Sequence, residues 1–155
     1  MTFHFKLADL NDLPVLMKYM QAFHEFDHVE AFDTNQAQKA MAKILTDKAV
    51  GRVWLIQQKT ETIGYSVLTL AYRLEYRGYY GFLDELFIQD DKRGQGAGTQ
   101  ALSFLQSACE QLKVNKLQLE VKQDNPRAVA LYTRAGFESQ SRDVLVKEFS
   151  RASTD

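Results

Sequence analysis

With 155 residues, 45% of them hydrophobic and 25% charged, the chain has the length of one domain with a proper core, expected over 1–150 with a frayed tail at 151–155. A formal charge of −1 gives no basic field, which excludes nucleic acid as an expected partner. The lone Cys109 excludes an internal disulfide, no apolar run is long enough to span a bilayer, and Met1-Thr2-Phe3-His4 is not a signal peptide, so a cytoplasmic location is expected.

Phe3, Phe5 and Leu7 alternate with His4 and Lys6, the pattern of a half-buried strand. Asp9 or Asn11 caps a first helix that tolerates Pro14 in its opening turn and carries Leu13, Leu16, Met17, Met20 and Phe23 to about His28. Asp33-Thr34 starts a second helix whose apolar face is Ala37, Met41, Ile44 and Leu45. Val50 to Gln58 and Ile63 to Ala71 read as a hairpin, with Gly64 marking a bulge. A turn over Arg73 to Gly78 leads into a further strand that ends at Ile88. Connections this short make the three strands an antiparallel meander.

Arg93-Gly94-Gln95-Gly96-Ala97-Gly98-Thr99 then opens a long helix containing Ala101, Leu102, Leu105 and Ala108. Glycines at a strand-to-helix turn let backbone approach something bulky, and a helix N-terminus presents unpaired N–H groups to an anion, most often phosphate. The spacing is neither that of the dinucleotide fingerprint nor that of a P-loop. Cys109 sits on the same helix beside Ala108 and Leu112 as a packed thiol.

Lys116 to Val121 alternates as a strand, parallel to the one ending at Ile88 because a helix intervenes. Asn125-Pro126 is a helix start, an N-cap oxygen followed by proline at the first helical position, and Gly136 stops that helix. A last strand is expected at Val144 to Phe149. His4, His24 and His28 have no metal-ligand spacing with Cys109, so no metal is expected. Glu25, Asp27, Glu30 and Asp33 crowd the connection between the first two helices, and with Glu75 they fit either an acidic rim that attracts a cation or a solvated charged loop.

Two stretches carry a family resemblance. Arg-x-x-Gly-x-Gly at Arg93 to Gly98 resembles the acyl-CoA pyrophosphate loop of the GCN5-related N-acetyltransferases (GNAT). Asn125 to Phe137 is similar to that family's Asn-x-x-Ala-x-x-Leu-Tyr-x-x-x-Gly-Phe, with every fixed position present. The motif style is nearest to small-amine and diamine acetyltransferases. The resemblance implies an α/β (α+β) GNAT fold: a mixed six- to seven-stranded sheet with a splayed parallel pair, flanked by about four helices.

It further implies acetyl-CoA as co-substrate, with its pyrophosphate on the backbone of Gly94, Gln95, Gly96, Ala97, Gly98 and Thr99 and Arg93 adding charge. Pantetheine would lie in the splay, bonded near Phe87, Ile88 and Asn125. Tyr132 resembles the tyrosine that protonates the leaving thiolate, and Asp84 or Glu85, the choice left open, resembles the carboxylate base. The function implied is acetyl transfer to a primary amine of a small molecule or a protein N-terminus, by direct attack in a ternary complex. A homodimer fits the family. The alternative is a non-catalytic CoA-binding sensor on the same fold, against which Tyr132 and the acidic pair argue.

Overall fold

The computed structural model describes residues 1–27 and 31–150, apart from the side chain of Asp27; the expected tail at 151–155 lies outside them. The elements run β1 (Phe3–Leu7), α1 (Leu13–Asp27), α2 (Thr34–Thr46), β2 (Gly51–Gln58), β3 (Glu61–Arg73), β4 (Gly78–Ile88), α3 (Ala97–Gln111), β5 (Leu117–Gln118) and α4 (Pro126–Arg134). Among the described residues the sheet has 5 strands in the order β1-β2-β3-β4-β5. The meander β1 to β4 is antiparallel, and β4 pairs β5 in parallel.

The caps follow from side-chain chemistry. Asp9 forms a capping box with Asp12 over the short 3-10 turn before α1, and Asp33 accepts from the Gln36 N–H at 3.1 Å to start α2. Asn125 does the same for α4, accepting from Ala128 N–H at 3.2 Å with Pro126 behind it.

Apolar alternation in β3 and β4 feeds a core on each face of the sheet. Leu16, Tyr19 and Met41 of α1 and α2 pack on Tyr65, Val67 and Phe87. Leu102, Leu105 and Cys109 of α3 pack on Trp54, Leu68 and Leu83. The bulge expected at Gly64 falls on its neighbour Ile63, since Ile56 pairs with Gly64 and Gln57 with Thr62. Gly64 itself serves close approach. A Cβ there would stand 2.0 Å from the Phe87 carbonyl oxygen. Gly64→Ala must therefore push β3 off β4 just where β4 reaches the candidate site. A loss of roughly 2–4 kcal/mol in urea unfolding is expected, the scale of overpacking plus damaged ladder bonds.

Two strand expectations need correction. The strand expected over Lys116 to Val121 is only 2 residues long, because β4 and β5 part after Phe82↔Gln118, where the expected splay begins. Val144 to Phe149 is not a strand. It is exposed and has no ladder partner among the described residues, which leaves five strands in place of six or seven.

Candidate active site

The parting of β4 from β5 defines the site. Their register holds only at Gly81↔Leu117 and Phe82↔Gln118, after which β4 continues to Ile88 without a partner on that side among the described residues. The backbone from Leu83 to Ile88 thus offers N–H and C=O groups to whatever occupies the gap.

At the start of the gap β4 carries a bulge. Val67 pairs with Glu85 and Leu68 with Leu83, so Asp84 is the extra residue. The bulge shifts the side-chain phase and separates the two carboxylates. Glu85 shares the α1/α2 face with Val67, Tyr65 and Phe87, where the Tyr65 hydroxyl donates to its Oε1 at 3.1 Å. Burial, opposed by that hydrogen bond and reinforced by the charge of Asp84, lifts the Glu85 carboxyl to about 7. Asp84 is instead influenced by Glu120, just past the end of β5. Its carboxyl is raised by partial burial and by the Glu120 charge.

At the other end of β4 a short 3-10 turn leads to the glycine loop. Gly94 and Gly96 adopt φ +77 and +89, the left-handed region that disfavours a Cβ. Gly96 is the N-cap of α3 and has no side chain to satisfy the first-turn N–H groups, so these face outward as donors. A Cβ on Gly96 would meet nothing within 4 Å, whereas one on Gly98 would stand 3.2 Å from Leu131 Cδ2. Gly98 therefore lets α3 approach α4, and Gly96 leaves open space above the loop.

Arg93 is turned onto the end of β4. Its Nε donates to the Ile88 carbonyl at 2.9 Å, it pairs with Asp90 at 3.0 Å, and its guanidinium lies over the rings of Phe26 and Phe87. Arg93, Asp90, Phe26 and Phe87, with Lys18, Tyr19 and Gln89, line a cavity of about 460 Å³ between α1 and the end of β4. The Tyr19 hydroxyl is fixed there by the Thr62 carbonyl at 2.6 Å and by Gln89 at 3.1 Å.

Tyr132 lies half-buried on α4 against the α3-side core and edge-on to Phe137 at 5.8 Å. Burial raises its phenol above the ordinary value, and among the described residues its hydroxyl has no hydrogen-bond partner. Cys109 is buried, and burial with the nearby Glu110 holds its thiol above the ordinary range, so it is a poor nucleophile.

Reading residues in sequence missed three neighbours. Tyr65 holds Glu85 from the diagonal cross-strand position, visible only once β3 and β4 are registered. The charge of Glu120, just past β5, acts on Asp84 and raises its carboxyl. Arg127, in the first turn of α4, brings its guanidinium to 3.5 Å from where a Gly94 Cβ would be. The signal for Arg127 was present, since it directly follows the Asn125-Pro126 start.

The acidic rim does not form as drawn. Glu75 pairs with Arg142 at 2.9 Å and Arg73 at 3.2 Å beyond the start of β4, whereas Phe26, near the end of α1, lies under Arg93 past the other end of β4. Asp33 is used as a cap and Glu25 accepts from Gln21, while Glu30, His28 and the Asp27 side chain lie outside the described residues. The cavity beside α1 presents Lys18 and Arg93 along with Asp90. Among the described residues no group of three metal-ligating side chains occurs, and no helix is long and apolar enough to cross a membrane.

The sequence model of the acetyltransferase (GNAT) family matches residues 14–137. A 58-residue stretch is 34% identical to the uncharacterized N-acetyltransferase YobR of Bacillus subtilis, spanning 37% of this chain and 24% of that protein. Among solved structures, an integron cassette protein from the mobile metagenome of Cole Harbour Salt Marsh superposes with TM-score 0.85 at 34% identity, over 96% of this chain and 91% of that one. A predicted acetyltransferase from Clostridium acetobutylicum, solved with acetyl-CoA, superposes with TM-score 0.80 at 14% identity, over 94% of this chain and 96% of that one.

Proposed function

The chain belongs to the acetyltransferase (GNAT) family, and from that premise we propose that it transfers the acetyl group of acetyl-CoA to a primary amine of a small molecule, by direct attack within a ternary complex. The observation that carries the enzymatic reading is Glu85, a partly buried carboxylate, bonded to Tyr65 and raised to about 7, at the mouth of the β4/β5 gap. A pure binder has no use for such a group; a base acting on an ammonium at neutral pH does.

In this reading the pantetheine arm lies in the gap, hydrogen-bonded by backbone around Phe87 and Ile88 and by Asn125. The pyrophosphate sits on the N–H groups of Gly94 to Thr99, with Arg93 and Arg127 supplying positive charge at its edge. The acceptor occupies the cavity beside α1. Glu85 takes the amine proton directly or through water, with Asp84 its nearest rival. The amine nitrogen bonds to the acetyl carbonyl carbon, a β4 N–H receives the developing oxyanion, and the C–S bond breaks as Tyr132 protonates the sulfur. The buried Cys109 supports direct attack over an acyl-enzyme route.

The test is a panel of polyamines, amino acids, amino sugars and peptide N-termini, scored by thiol release from acetyl-CoA. Release with at least one amine, and a matching acetylated product by mass, is expected. Acetyl-CoA binding without release for any amine would leave the sensor reading in its place. The loop has its own test. In Gly96→Val the added Cβ meets no protein atom within 4 Å, but the side chain blocks the approach and strains the backbone at φ +89. Acetyl-CoA affinity is expected to fall more than about tenfold with the fold retained, the scale of losing several charge-assisted hydrogen bonds. Unchanged affinity by calorimetry would move the pyrophosphate elsewhere.

A further inference from the structure

Most polar groups that line the cavity beside α1 are committed within the protein. The Tyr19 hydroxyl is held by the Thr62 carbonyl at 2.6 Å, and the Gln89 amide donates to Asp91 at 2.9 Å. Arg93 is engaged by the Ile88 carbonyl and by Asp90, and of the acids nearby Glu61 pairs with Lys92 at 3.3 Å. Lys18 differs. It is exposed, so its ammonium stands at the mouth of the cavity, 5.9 Å from the centre of the Tyr19 ring. Among the described residues it has no ion-pair partner. The walls behind it are the rings of Tyr19, Phe26 and Phe87.

The place of Glu85 sets the span. Glu85 and Phe87 are next but one on β4 and share the α1/α2 face, which puts them roughly 6–7 Å apart along the strand. Tyr65 joins them, its hydroxyl on Glu85 at 3.1 Å and its ring centre 6.1 Å from that of Phe87. The cavity lies beyond, with Phe87 in its wall. A molecule whose amine is at Glu85 and whose body fills the cavity must therefore cross Phe87 before it meets Lys18.

We propose that the acceptor in the acetyl transfer, the reading on which this inference rests, is an ω-amino carboxylate: a primary amine joined through an apolar chain to a carboxylate that Lys18 receives. The aromatic walls suit an apolar spacer, which leaves no polar group unpaired against them. The Lys18 ammonium attracts the far carboxylate, whereas the second ammonium of a polyamine meets like charge there. An α-amino acid carries both groups on one carbon and does not reach across Phe87. In the reaction the ammonium gives one proton to the β4 carboxylate and the nitrogen bonds to the acetyl carbon. A second proton then leaves the nitrogen, balancing the one taken up by sulfur as the C–S bond breaks. The acceptor's own carboxylate is unchanged, so Lys18 determines specificity without entering the chemical step.

The test runs the straight-chain ω-amino acids from glycine to aminooctanoate, each beside its own carboxamide and the diamine of equal length. For the acids kcat/KM is expected to peak at an intermediate length. There the acid is expected to exceed its carboxamide about tenfold or more, the difference lying in KM, the scale of a hydrogen bond between charged groups. That ratio is expected to fall with added salt. Lys18→Met removes the charge at an exposed position and keeps an apolar stem. It is expected to bring acid and carboxamide within about twofold of each other, with acetyl-CoA affinity within about twofold of the parent. Lys18→Glu is expected to move the preference to the diamine. A parent that takes the carboxamide, the diamine or glycine as well as the longer acid overturns the proposal and leaves acetyl transfer intact. So does an acid preference that survives both substitutions. A loss in Lys18→Met that falls on acetyl-CoA binding also overturns it, by giving the ammonium to the cofactor's phosphates. Failure of these and every other amine to release thiol overturns the acetyl-transfer reading itself, and this inference with it.

Discussion

Tyr132→Phe is expected to lower kcat by roughly 10²–10⁴-fold, the range of a general acid, while leaving acetyl-CoA affinity within about threefold of the parent. The separation follows from how the residue sits. Its ring packs edge-on against Phe137 and into the α3-side core, and phenylalanine reproduces that packing. Only the hydroxyl is lost, and among the described residues it bonds to nothing. Burial raises the phenol above its ordinary value, so it stays protonated throughout the working pH range and is available as a donor to a thiolate. A residue retained for packing alone predicts near-normal turnover on the same substitution. Steady-state kinetics on any accepted amine, with cofactor affinity measured separately, distinguishes the two. Turnover within about threefold of the parent would mean that water or the substrate protonates the sulfur.

What the sequence revealed of this site, and what it hid, divides along physical lines. Features set by contiguous residues were legible. Asn125-Pro126 caps α4 because the cap oxygen and the first helical φ are local properties, and the glycine loop opens α3 for the same reason. Features set by the register between strands were not. Asp84 and Glu85 are adjacent, and alternation alone sends them to opposite faces with no means of choosing between them. The bulge at Asp84 exists only in the pairing of β4 with β3, and it hands Glu85 to Tyr65 and Asp84 to Glu120. Likewise Lys116 to Val121 alternates as a longer strand than forms, because β4 leaves it after Phe82. Val144 to Phe149 has every local mark of a strand, yet it finds no ladder partner among the described residues.

Glu85→Gln is expected to lower kcat/KM at pH 8 by about 10²-fold or more and, in the same protein, to raise thermal stability. The two effects have one cause. Burial lifts the carboxyl from its ordinary 4.5 to about 7, so the folded protein prefers the protonated form. A carboxyl raised on folding contributes stability that is fully present below its unfolded value. That contribution is lost as pH climbs through the folded one, here between about 4.5 and about 7. At pH 8 the native protein therefore carries a partly buried charge that it would be more stable without. Allowing for the Tyr65 hydrogen bond that favours that charge, the penalty is on the order of 1–3 kcal/mol, or roughly 3–10 °C in melting temperature. Glu85→Gln removes it at pH 8 and gains almost nothing at pH 5. For catalysis the sign reverses, because a base works only when ionised. The ratio of parent to variant kcat/KM is expected to be level above pH 7 and to shrink tenfold per unit below it, with the amine's own titration common to both proteins and cancelling. Asp84→Asn is the companion measurement. Should that variant carry the pH-dependent loss while Glu85→Gln stays active, the base is Asp84 and the bulge, by aiming Asp84 toward Glu120, does the selecting.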